Sequence, residues 1–374
     1  MKFVIVDLSG KIPYYDHALC TELHKLHGKD AFLFTPYKQE EYNPSYKVKC
    51  LCRLYEYKNK KLRRIIKGIE GIINYLYLII YFIFNRVGVI HLQWLPFLEF
   101  CGVDKYFLML LKHTTKAKVL LTVHNIYPHD MVEHTKKRYV ERFSQCAKYI
   151  DAFIVHNNSS KLLLTEDFKI PSDIINVIHH GIFVPEVFPK PSMQSDKMNL
   201  LMFGIQSKYK GTDLLVEAIG LLQAEEREKI SVTIAGKTNQ DLYQEYINKA
   251  ESLQIKWVNR YLTDEELNQL ITDSDLVLFP YRDISQSGAL LLTLAFRKQL
   301  VVSLLPSFIE TLDGLPSSSF VEVGSSSALA SNISKRIRKE VNIQSELEAI
   351  DSLQDKYSWR ESAIMTLCLY KKIV

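Results

Sequence analysis

Apolar residues along the chain gather in short continuous runs rather than in alternation. One series comprises KFVIVD (2–7), AFLFT (31–35), GVIHLQW (88–94), KVLLTVH (118–124), AFIVH (152–156) and INVIHHG (175–181). A second comprises NLLMFG (199–204), SVTIAG (231–236), IKWVNR (255–260), LVLFPY (276–281), LVVSL (300–304) and FVEV (320–323). Strands buried on both faces carry such runs, which is the mark of a parallel sheet. Helical stretches lie between them, among them GTDLLVEAIGLLQAEERE and TDEELNQLITDS. In the latter, Thr263 with Glu266 three residues on forms a capping box. The pattern predicts an α/β protein of two doubly wound, Rossmann-like domains. The segment VPEVFPKPSMQSDKM (184–198) has three prolines and no apolar period, so it reads as a linker. The expected organisation is a first domain over 1–183, a second over 199–355, and a terminal segment over 356–374. Ligands of such sheets sit at the carboxyl ends of the strands, which makes a cleft between the domains the expected site.

Composition sharpens this picture. A chain of 374 residues suits two domains, and 47% hydrophobic with 24% charged residues excludes a disordered protein. Six cysteines show neither a CxxC pair nor His/Cys metal spacing, which argues against zinc and fits the reduced thiols of a cytoplasm. The apolar run at the N-terminus is too short for a signal peptide and reads as the first strand. The net charge of +5 is modest but unevenly placed: nine Lys/Arg fall between Lys47 and Lys67 against one acid, Glu56. Directly after them comes IINYLYLIIYFIF (72–84). Its 13 residues fall short of the ~20 that span a bilayer. Residues 47–84 are therefore either a core helix with a basic approach or a helix lying in an anionic membrane interface. Nucleic acid is disfavoured as a partner, because the aromatics form an apolar block instead of interleaving with the basic residues.

Three stretches carry candidate chemistry. The first strand ends in DLSGKIPYYDH, with the single Gly10 where a dinucleotide site needs G-x-G-x-x-G, so a redox Rossmann enzyme is disfavoured. The second domain opens with FGIQSKYKGTDLLVEAI, in which Gly204 is followed by Lys208, Lys210, Gly211 and a helix. Lysines beside a helix N-terminus favour a phosphate or diphosphate, a solvated basic loop being the alternative. His124 and Asn125 close a strand in LLTVHNIYPHD, with Pro128, His129 and Asp130 behind them, which points to a cleft-facing loop, a satisfied core histidine being the alternative for His124. His91, Gln93 and Trp94 alternate at another strand end; Trp94 either stacks on a sugar face or fills the core.

These segments, in this order and over nearly the whole chain, resemble the GT-B-fold nucleotide-sugar glycosyltransferases, close to the family-4 retaining group. VIHLQW, LLTVHNIYPHD and VIHHGIF resemble segments of that group's first domain. FGIQSKYKGTDLLVEAI, AGK (235–237) and YLTDEELNQLITDSDLVLFPY resemble segments of its second. YSWRESA is similar to the start of the final helix, which crosses back to the first domain. The resemblance implies transfer of a sugar from a UDP- or GDP-linked donor to a glycan acceptor, expected to be lipid-linked, in bacterial surface polysaccharide synthesis. It also implies retention of configuration, with no metal and no cofactor. His124 and Lys210 take the catalytic places, Lys210 on the diphosphate. Gly10, Gly204, Lys208, Gln286, Ser287, Gly288, Thr293 and Glu310 are assigned to the donor, and Gln93, Trp94 and Asn125 to the acceptor. The implied location is the cytoplasmic face of the membrane, reached through residues 47–84.

The sequence departs from the group in two places. Ile205 stands where the group has an arginine, leaving Lys208 as the replacement cation. The paired glutamates around the donor turn are absent: their places fall at Ser285 and Thr293, or at Ile284 and Leu292. A subset of the group has a Q-S-G turn instead, resembling Gln286–Ser287–Gly288, where a hydroxyl and helix-start N–H groups receive the diphosphate. Two further readings stay open, a sugar-nucleotide 2-epimerase and a non-catalytic partner subunit. The missing glutamates weigh against the epimerase.

Overall fold

A computed structural model describes residues 2–10, 12–28, 31–36, 44–53, 60–128, 131, 133–185, 187–192, 196–284 and 287–374. The chain divides into two compact units, Met1–Gly181 with Ser358–Val374, and Ile182–Tyr357. Residues 184–198 thus belong to the second unit.

The first unit begins with β1 (Phe3–Val6), α1 (Pro13–His27), β2 (Ala31–Thr35), β3 (Lys47–Cys50) and α2 (Lys60–Phe84). It continues with β4 (Val89–Leu92), α3 (Asp104–Thr114), β5 (Lys118–Thr122), α4 (Glu133–Ala147), β6 (Ala152–Val155), α5 (Asn158–Glu166) and β7 (Ile175–Val177). All its strand pairs are parallel, in the order β3-β2-β1-β4-β5-β6-β7. The order reverses between β1 and β4, whose central residues are fully buried. The continuous apolar runs are therefore strands covered by helices on both faces.

The second unit holds β8 (Met198–Phe203), α6 (Thr212–Leu221), α7 (Ala224–Arg227), β9 (Ile230–Ala235), α8 (Gln240–Ser252) and β10 (Lys256–Val258). Then follow α9 (Asp264–Asp273), β11 (Leu276–Phe279), α10 (Gly288–Ala295), β12 (Gln299–Ser303), α11 (Pro306–Thr311), β13 (Phe320–Val321), α12 (Ser326–Ile337) and α13 (Ile343–Lys356). Its sheet is parallel in the order β10-β9-β8-β11-β12-β13, reversing between β8 and β11. The expected capping box at Thr263 and Glu266 opens α9. The last helix, α14 (Trp359–Ile373), belongs to the first unit, where it packs on α1. Tyr370 of α14 lies 5.0 Å from the Phe3 ring, and its hydroxyl meets His91 Nδ1 at 2.7 Å. The expected return of the C-terminal helix is present.

Two elements differ from expectation. β3 lies within the basic segment: its Lys-Val-Lys-Cys sequence forms an edge strand of the first sheet. There Lys47 sits over the Phe32 ring and Lys49 over Tyr81, at 5.3 and 4.3 Å. These cations are used on aromatic faces. The 13-residue apolar block, in turn, is the C-terminal half of the 25-residue α2. By length and composition, Ile65–Phe84 is apolar enough to cross a membrane, with a mean hydropathy of 1.5. However, Tyr75, Leu78, Ile79 and Phe82 are built into the core of the domain. Asn74, the one polar residue of the block, accepts from Cys52 N at 2.8 Å and donates to Cys52 O at 3.0 Å, tying the helix to the chain after β3. A helix so packed has only its outer face available to lipid. From Ile65 onward that face is apolar, with Ile65, Ile69, Ile72, Leu76, Ile80 and Ile83 all exposed at three- or four-residue spacing. Lys58 and the side chains of Lys60, Lys61, Arg63 and Arg64 lie outside the described residues.

Candidate functional site

Ligands of doubly wound sheets bind at the carboxyl edge where the strand order reverses. In the second unit that edge lies beyond β8 and β11. After β8 the chain turns at Gly204 (φ 101°), makes one 3₁₀ turn over Lys208–Lys210, and enters α6 through Gly211 (φ 72°). Both glycines have a positive φ, and Gly211 is required by backbone contact as well. A Cβ on Gly204 would lie 2.7 Å from Lys210 Nζ, and one on Gly211 would lie 2.0 Å from the Pro280 carbonyl. The Lys210 amine therefore reaches back over bare backbone at the strand end, 5.3 Å above the ring of the buried Tyr281. Lys210 is 9% exposed and forms no ion pair among the described residues, and burial pulls its pKa down to about 8. Lys208 is exposed. A desolvated cation beside glycine backbone and the first turn of a helix is an arrangement that can receive an anion.

Arg282, at the end of β11, clamps this turn. Its N–H donates to Tyr209 O at 2.6 Å, and its guanidinium donates to Lys208 O at 2.8 Å and to both oxygens of Asp213 at 2.7 and 2.6 Å. Nothing in the local sequence marks Arg282 for this role. Its partner, Asp213, stands 69 positions away, so no local pattern joins them.

In the first unit the reversal lies beyond β1 and β4, where Gly10, Gln93 and Trp94 sit, with His124 beyond the adjacent β5. Asp7 accepts from Ser9 N, Ser9 Oγ and Gly10 N at 2.9, 3.0 and 3.0 Å, shaping the turn after β1. The Gly10 N–H is thereby committed to Asp7. His124 is half-buried; Trp94 stacks on one face (5.0 Å, 26°) and the Tyr15 ring meets it edge-on (4.7 Å, 86°). Its protonation is set by a chain of acceptors. The Ile178 carbonyl, 2.9 Å from His156 Nδ1, can only accept, so that nitrogen carries the His156 proton. His156 Nε2 then accepts from His124 Nδ1 at 3.2 Å. Gln93 Oε1 is placed 2.9 Å from His124 Nε2; a neutral His124 with its lone pair on Nε2 requires the Gln93 amide to be turned over so that its NH2 donates there. Burial, with His156, His180 and His91 nearby, holds the His124 pKa well below the usual histidine range, so the neutral form is the resting one. His156 was not foreseen. Its register becomes visible only once β5 and β6 are paired.

The remaining expected residues fall as follows. Gln286 lies outside the described residues, as do Ser285, His129 and Asp130. Ser287 caps α10, its Oγ accepting from Leu290 N at 3.2 Å, and Gly288 is the first residue of that helix. Thr293 does not fit the donor role assigned to it. It is fully buried, and its hydroxyl donates to Ala289 O at 2.9 Å within the same helix. Glu310 is half-buried on α11. Asn125, like Gly10, Gln93, Trp94 and His124, lines a cavity in the first unit.

Residues 197–339 match the family model of glycosyl transferases group 1. The match runs from β8 through α12 and so includes the Lys210 turn. Solved structures similar to the whole chain include Anabaena HepE in complex with UDP, with a TM-score of 0.68 and 15% identity over 98% of this chain and 97% of that one. The same protein in complex with UDP-glucose gives 0.67 and 14% over 100% and 98%. Sucrose-phosphate synthase from Thermosynechococcus elongatus gives 0.71 and 14% over 100% and 99%. No curated protein sequence matches the chain. At these identities the likeness establishes the fold, and the fold is GT-B.

Proposed function

We propose that the protein is a retaining glycosyltransferase that moves a sugar from a nucleoside diphosphate donor to a lipid-linked glycan, without metal or cofactor. The observation that carries this reading is the buried Lys210 amine, held over Gly204 at the switch point of the second sheet and in no ion pair among the described residues. The match of this domain to glycosyl transferases group 1 supports it, and so do the UDP and UDP-glucose complexes of a protein of the same fold. In this reading Lys210 neutralises charge that develops on the leaving diphosphate. His124, neutral and held by His156 and Gln93 through its two ring nitrogens, lines the space for the sugar and acceptor with its ring. Incubation with labelled UDP- and GDP-sugars and a membrane lipid extract tests the reading, the expected result being label in the lipid fraction. Release of an epimer from donor alone would identify an epimerase, and failure of every donor to bind would identify a non-catalytic subunit.

The pKa of Lys210 gives a second expected result. A bound diphosphate favours the charged amine, so between pH 8 and 9 donor binding takes up a proton, and affinity falls as pH rises through about 8. Calorimetric titrations in two buffers of different ionisation enthalpy measure the uptake. At pH 6.5 the amine is already charged and no uptake is expected.

The same reading places the protein at the cytoplasmic face of a membrane, in surface polysaccharide synthesis. Support comes from the apolar outer face of α2 and from the nine basic residues between Lys47 and Lys67. Cosedimentation with liposomes should rise with anionic lipid content and fall with salt, and Ile72→Glu should weaken it. Binding insensitive to both variables would contradict this placement.

A further inference from the structure

A cavity of about 1260 Å³ lies within the first unit. At one end it is lined by Trp94 and His124, beyond the carboxyl edge of the sheet. At the other it passes under the N-terminal half of α2 and against α4. Among the described residues its charged lining comprises Arg53, Lys67, Arg138 and Arg142 against two carboxylates, Glu70 and Glu99. Lys67, Arg138 and Arg142 form no ion pair among the described residues. Arg142 is oriented by donating to the carbonyls of Leu98 and Glu99 at 3.0 and 3.1 Å.

The sequence of α2 makes room for this space. Over its C-terminal turns the inward face fills the core with Tyr75, Leu78 and Phe82. Before Tyr75 the cavity side carries Lys67, Gly68, Glu70, Gly71 and Asn74 instead. A Cβ on Gly68 would meet nothing within 4 Å, whereas one on Gly71 would collide with the Phe97 ring at 2.3 Å. Each glycine in a helix interior costs about 1 kcal/mol against alanine. Gly71 is explained by packing; Gly68 is explained only by the space it leaves open. On the opposite side of the same turns Ile65, Ile69 and Ile72 are exposed. Here α2 is a roof, apolar above and polar or small below.

We propose that this cavity takes the phosphate-bearing end of an amphiphilic acceptor, a sugar linked through phosphate to a lipid. Lys67, Arg138 and Arg142 hold the phosphate, the sugar lies toward Trp94 and His124, and the lipid leaves along the apolar face of α2. This assignment rests on the glycosyltransferase reading. A neutral glycan gives the excess of cations nothing to bind, and a free phosphate gives the apolar roof no purpose. The cations and the apolar face are satisfied together by a lipid phosphate.

The test uses the full chain in saturating UDP, so that the anion site of the second unit is occupied. Farnesyl diphosphate, farnesol and inorganic diphosphate are titrated by calorimetry and by tryptophan fluorescence. Farnesyl diphosphate is expected to bind at least tenfold more tightly than either of the others. Arg138→Glu and Lys67→Glu, both at exposed side chains, should each weaken it at least tenfold while leaving UDP affinity unchanged. Equal affinity for inorganic diphosphate would overturn the lipid source, and unchanged binding in both variants would overturn the site. A chain that binds UDP but not farnesyl diphosphate overturns the cavity assignment alone. A chain that binds no nucleotide overturns the glycosyltransferase reading instead.

Discussion

Replacing Lys210 by alanine is expected to slow sugar transfer by about 10²–10³-fold, the loss found when one preorganised donor to a developing anion is removed. The size of the effect follows from burial. An amine in water is screened, whereas this one is 9% exposed and already desolvated, so no solvent must be cleared from it when charge appears on the leaving group. Lys208→Ala, at an exposed lysine two residues away, should cost less than tenfold. The fold should survive Lys210→Ala, because the folded-state pKa is lowered, to about 8. The unfolded chain therefore binds more protons between that value and the unfolded lysine pKa, and stability rises with pH across that window. Below it, the buried charge opposes folding. Alanine removes that opposition, so the variant should match or exceed the native melting temperature while failing in turnover. Steady-state transfer rates and thermal melts on the same sample check both halves. A variant that transfers at the native rate would remove the central assignment.

Glu346→Ala is expected to act in the opposite way, destabilising the second domain by roughly 3–5 kcal/mol and lowering its melting temperature by about 10 °C. The side chains of Glu346 and Arg336 are fully buried, with Arg336 Nη1 2.9 Å from Glu346 Oε2. Glu346 Oε1 also accepts from Leu300 N at 2.6 Å, and Arg336 donates to Gln299 Oε1 and Leu300 O at 2.8 and 3.1 Å. The pair stitches α12 and α13 to β12. Removing the carboxylate strands a guanidinium in the interior and leaves the Leu300 N–H without its acceptor. The double variant Arg336→Met with Glu346→Leu should recover much of the loss, since an apolar pair of similar volume leaves no buried charge. Differential scanning calorimetry of the two variants makes the comparison. Equal destabilisation in both would mean that packing, rather than the stranded charge, dominates.

The sequence was most informative where burial wrote a continuous pattern. Runs such as VIHL and LVLF have no polar face because helices cover both sides, and parallel sheets followed directly from them. β3 was missed because an edge strand is free to carry Lys47 and Lys49, which read as part of a charged approach. The start of α2 was missed for a related reason. Ile65, Ile69 and Ile72 already keep helical spacing, but the lysines and arginines among them mask the apolar period. In the candidate site, Gly204, Lys210 and Gly211 were legible because a strand end, two lysines and a helix start are contiguous. Arg282 with Asp213, and His156 with His124, were not, because each pair is joined only by sheet pairing. Thr293 was misjudged by aligning a polar residue with a ligand position. Its place beside Leu290 and Leu294 on the buried face of α10 gives the hydroxyl to its own helix.

The central claim is that the Lys210 turn holds the diphosphate of a nucleotide sugar. Isothermal titration of the native protein and of Lys210→Ala with UDP- and GDP-linked sugars at pH 7 tests it most directly. The native protein should bind at least one of them, and the variant should bind that donor at least tenfold more weakly with an unchanged melting temperature. Native-like affinity in the folded variant, or no binding by the native protein, would contradict it.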